Sequence, residues 1–122
     1  MTSIQLPDFE DMLFLAEKIG YLKGRELNLK NELNILMADI TNTVTKDKNY
    51  FINGKPPSAT HTKMTFHVVG YDDKTREELN NLNTQLADVI ASLEKEMRTF
   101  QVYRDIIEVW KAEQYVKNQT TY

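Results

Sequence analysis

The chain has 122 residues, 41% of them hydrophobic and 27% charged, with four glycines, three prolines and no cysteine, which is the composition of one folded, helix-rich domain. Without cysteine there is no disulfide, thiolate metal site or cysteine nucleophile, and a net charge of −3 gives no global attraction to nucleic acid or anionic lipid. No run of about 18 apolar residues is present to span a membrane.

Residues 1–6 read as an extended leader. Met1-Thr2-Ser3-Ile4-Gln5 has no basic residue ahead of an apolar stretch, so no secretory signal is expected. The expected location is the cytoplasm, that of the host if the chain is viral. Pro7 suits the first turn of a helix, and Asp8, Glu10 and Asp11 complement the positive end of its dipole. This first helix is expected over about 7–46. Its end is soft, because Thr41, Thr43, Val44 and Thr45 are β-branched. Gly20 and Gly24 are interior glycines, either tolerated weak points or places where another backbone comes close.

A connector is expected over about 47–72, too long for a simple turn between helices. Tyr50-Phe51-Ile52 followed by Asn53-Gly54 suggests a short strand and turn, and Pro56-Pro57 an extended excursion at its tip. Met64-Thr65-Phe66-His67-Val68 alternates apolar and polar, which predicts a strand and hence a small β-arm. The second helix is expected over about 73–117, with Thr75-Arg76-Glu77-Glu78 as a capping box. Residues 118–122 read as a frayed polar tail.

Both helices carry a heptad stripe. One passes through Met12, Leu15, Ile19, Leu22, Glu26, Leu29, Leu33, Leu36, Ile40 and Thr43. The other passes through Leu79, Leu82, Leu86, Val89, Leu93, Glu96, Phe100, Tyr103, Ile107 and Trp110. Such stripes are seams along which helices pack. The fold class expected is therefore all-α: an antiparallel, coiled-coil-like hairpin of two helices forming a single domain. Folded so, Glu26 and Glu96 fall in one polar layer. Three roles fit such a layer: fixing register, a wet site near other subunits, or a carboxylate metal site. Neither helix carries the histidines that di-metal bundles use, so no metal is expected.

The open end of the hairpin is apolar on several sides. Phe9, Leu13 and Phe14 on the first helix and Phe100, Tyr103, Ile106 and Trp110 on the second exceed what one seam can cover. They are the expected interface of a homo-oligomeric helical bundle. Catalytic motifs are missing: there is no glycine-rich phosphate loop, no nucleophile elbow and no His-Glu-x-x-His. Neither enzymatic activity nor a cofactor is expected.

The connector offers binding chemistry instead. From Lys46 to Val69 the charge is +3, and Lys46, Lys48, Lys55 and Lys63 alternate with Tyr50, Phe51 and Phe66. Lysines for phosphates and rings for bases are the ingredients of single-stranded nucleic-acid binding. The same aromatics serve equally to cap the end of the hairpin.

The stretch from Met97 to Lys111 also resembles the C-terminal end of the UvsY family, the recombination mediators of T4-like phages. Arg98, Phe100, Val102, Trp110 and Lys111 occupy comparable places over about 15 residues. This chain departs from that family in its acidic balance, shorter length and lack of a basic N-terminal motif. The resemblance implies a small oligomeric accessory protein that binds single-stranded DNA. The residues themselves imply a non-enzymatic interaction or assembly protein whose protein partner they do not identify.

Overall fold

A computed structural model describes residues 5–120, so most of the leader and the last two residues of the tail lie outside it. The described residues are helical almost throughout and contain no strand. Two long helices, α1 (Phe9–Lys46) and α4 (Asp73–Thr120), flank the short α2 (Ala59–His61) and α3 (His67–Val69).

Helix α1 begins two residues later than Pro7 would set it. The Asp8 carboxylate accepts the Glu10 N–H at 3.0 Å, satisfying one of the donors that a helix start leaves unpaired. At the other end the helix runs on to Lys46 in spite of its β-branched threonines. Thr43 and Thr45 donate their hydroxyls to the Asp39 and Thr41 carbonyls at 3.0 and 2.6 Å.

All twenty stripe positions are buried or half-buried, so the heptad count identifies the inward face of both helices. The described residues fall into two compact units. One is Arg25–Val89; the other holds the residues up to Gly24 and those from Ile90 on. The Arg25–Val89 unit packs Leu33, Ile40, Val44 and Leu79 against Leu36, Tyr50, Phe66, Tyr71 and Leu82. Val44, rather than Thr43, is the fully buried residue at the end of the first stripe. In this unit Arg25 donates to the Gln85 side chain at 3.3 Å. In the other unit Leu15 and Leu93 are buried, and Lys18 pairs with Glu96 at 3.1 Å.

The expected β-arm does not form. Its turn is present: Asn53 and Gly54 take φ of 53° and 76°, and Ile52 and Lys55 exchange backbone hydrogen bonds at 2.8 and 3.1 Å. That single bridge is not extended into strands. Residues 64–68 are helical, because Ser58 starts a helix by accepting the His61 N–H at 3.1 Å. A π turn over Thr62–Phe66 joins α2 to α3. Burial here follows helical spacing, with Thr62 and Gly70 buried and Phe66 half-buried between them. Five alternating residues are too few to separate that period from a strand's. Pro56 and Pro57 are non-helical as expected, with Pro56 exposed and Pro57 buried.

Helix α4 starts with a capping box one turn earlier than the sequence suggested. Asp72 Oδ1 accepts the Thr75 N–H at 2.8 Å, and Thr75 Oγ1 accepts the Asp72 N–H at 3.1 Å and the Tyr71 N–H at 3.0 Å. Glu78 takes no part. The expected polar tail continues the helix through Thr120, with Gln119 donating to the Tyr115 hydroxyl at 2.7 Å one turn below.

Candidate functional site

In the unit that holds the start of α1 and the end of α4, each helix spends its seam stripe on packing and leaves other apolar residues outside. Phe9 is 76% exposed, Phe14 69% and Leu13 50%. Of the remaining expected interface residues, Phe100, Tyr103, Ile106 and Trp110 are half-buried. The exposed set extends along α4 to Val102, Val109 and Val116, three valines spaced seven apart, and includes Met97 and Tyr115. Their heptad spacing was a signal in the sequence, but it lies off the main stripe.

The two seam glutamates each have a cation in their own unit. Glu96, 15% exposed, pairs with Lys18 at 3.1 Å, and Glu26 with Lys30 at 3.7 Å. Lys30 lies one helical turn from Glu26, whereas Lys18 is brought to Glu96 by the fold. Among the described residues no cluster of three or more histidines and carboxylates is placed to hold a metal.

In the connector the aromatics face inward. Tyr50 meets Phe66 edge-to-face at 6.0 Å between ring centres and Tyr71 at 5.3 Å, and both Tyr50 and Phe66 pack on the core. Burial raises the Tyr50 hydroxyl above its ordinary pKa, with smaller contributions from the Asp47 and Asp72 carboxylates. Phe51 is half-exposed. Both histidines are engaged: His67 Nε2 shares a hydrogen bond with Thr41 Oγ1 at 2.7 Å, and His61 lies edge-on to Phe66 at 5.6 Å.

The lysines do the opposite. Lys46, Lys48, Lys55 and Lys63 are exposed, and none forms an ion pair among the described residues. The connector thus presents cations to solvent while its rings serve the core.

Two surfaces result: an apolar one at the α1 start and α4 end, and a basic one on the connector. No helix of the described residues is long and apolar enough to cross a membrane. Compared with protein-family models, curated proteins and solved structures, the chain matches none.

Proposed function

We propose that this is a non-enzymatic assembly protein, an antiparallel helical hairpin that associates with copies of itself through the apolar surface at the α1 start and α4 end. The observation that carries this reading is the exposure of Phe9, Leu13 and Phe14 in a unit where Phe100, Tyr103, Ile106 and Trp110 are only half-buried. Large apolar side chains left open to solvent in such number mark an interaction site. The antiparallel arrangement draws support from contacts within the Arg25–Val89 unit. Arg25 meets Gln85 on α4, and further along α1 Thr41 meets His67, which precedes α4, so partner numbers fall as those of α1 rise. Light scattering across the micromolar range is the test. An oligomer is expected, and a monomer throughout overturns the reading.

A second reading is a single-stranded-DNA-binding accessory protein, as the UvsY resemblance implies. The four exposed, unpaired connector lysines favour it; the packing of Tyr50 and Phe66 leaves only Phe51 well placed for stacking. Anisotropy of a labelled oligonucleotide at two salt concentrations separates the readings. Binding that weakens steeply with salt supports this second role, and no binding at low salt removes it.

A further inference from the structure

Phe14 stands on an open face of α1 with three acidic neighbours, and Lys18, four residues after it, is taken up by its pair with Glu96. Glu10, Asp11 and Glu17 lie four residues before, three before and three after it, the spacings that share one helix surface. None of the three carboxylates has a cation partner among the described residues. In the same unit a groove of about 260 Å³ is lined by Ala16, Ile19, Met97, Phe100 and Gln101 together with the cations Lys23 and Arg104. Neither of these cations is paired among the described residues either. A cavity of about 150 Å³ accepts benzene, so this groove has room for a phenyl ring.

The two features cannot meet within one chain. At about 100° of turn per residue, Ile19 lies roughly 140° around α1 from Phe14, Ala16 roughly 160° and Lys23 roughly 180°. The ring and the groove are therefore on opposite sides of one helix. We propose that the Phe14 ring of one copy enters the groove of a second copy, with Glu10, Asp11 and Glu17 meeting Lys23 and Arg104. This rests on the self-assembly reading and gives it a geometry. The contact is heterologous, one surface onto a different one, so it propagates from copy to copy into a ring or a chain instead of stopping at a two-fold dimer. The larger groove of the Arg25–Val89 unit does not compete. It is bordered by Glu32, Asp39 and Glu78, which repel an acidic knob.

The test uses two variants of the full chain, Phe14→Ala and the double charge reversal K23E/R104E, each checked for helix content by circular dichroism. All substituted side chains are exposed, so the fold is expected to survive. Each variant alone is expected to lose self-association by at least about 30-fold in Kd, the mark of a central aromatic contact. Mixed, the two are expected to form a one-to-one heterodimer that grows no further, because the first retains only its groove and the second only its knob. Assembly of either variant alone as in the wild type, or a mixture that stays monomeric, overturns the knob and groove while leaving self-assembly standing. A monomeric wild type overturns both.

Discussion

Gly70 ends α3 with φ 73° and ψ −178°, a conformation that is essentially glycine's alone. A Cβ there would lie 2.5 Å from Thr75 Oγ1 and 2.7 Å from the Arg76 nitrogen, inside the capping box that starts α4. Gly70→Ala therefore combines backbone strain with a clash against main chain. We expect a loss of about 3 kcal/mol in denaturant unfolding; a loss below about 1 kcal/mol would show that the junction relaxes freely. Beside it, hydrogen bonds from the Thr75 backbone and hydroxyl hold the Asp72 carboxyl below its ordinary pKa. A depressed carboxylate contributes stability that is fully present above its unfolded pKa and disappears as pH falls through the folded one. Wild type should accordingly lose stability below about pH 4, and Asp72→Asn should lack that component of the acid dependence. Equal acid slopes for the two proteins would refute the assignment. The glycine turn and the cap were only half legible in the sequence. Thr75 announced a helix start, but its letters pointed forward to Glu78, whereas the structure pairs it with Asp72 three residues upstream.

At the scale of the elements, the seam was the most legible feature. Seven-residue spacing over ten positions leaves little choice of inward face, and each stripe residue is shielded. The connector was the least legible, because in five residues the strand and helix periods both fit Met64-Thr65-Phe66-His67-Val68, and a serine cap six residues upstream decided for the helix. Gly20 and Gly24 had two readings, weak points or close approach. A Cβ built at either meets nothing within 4 Å, so the chain's own backbone does not come close. Gly20→Ala and Gly24→Ala should each stabilise by up to about 1 kcal/mol through helix propensity, read as a rise in the thermal midpoint. Weakened self-association in either variant would instead reveal a second copy packed against that face. The outward valines at 102, 109 and 116 were hidden for a related reason: they repeat every seven residues but fall outside the stripe that the larger side chains make obvious.

For the whole molecule, the small core favours assembly independently of any single residue. Among the described residues buried hydrophobics are few: Leu15, Leu29, Leu33, Ile40, Val44, Leu79 and Leu93. A core of that size leaves little stability to set against the entropy of ordering the chain. If association supplies the remainder, folding and assembly are linked by mass action, and stability depends on protein concentration. The thermal midpoint is therefore expected to rise with each tenfold increase in concentration. Trp110 tests which surface is responsible. It ends the second stripe half-buried, next to exposed Val109, and an indole covered by a neighbouring copy contributes about 3 to 5 kcal/mol. Trp110→Ala should shift the monomer–oligomer equilibrium in sedimentation toward the monomer and flatten the concentration dependence of the midpoint. A midpoint independent of concentration in the wild type would mean that the isolated chain is stable despite its small core. A lowered midpoint in the variant with unchanged sedimentation would mean that Trp110 serves its own chain rather than the assembly.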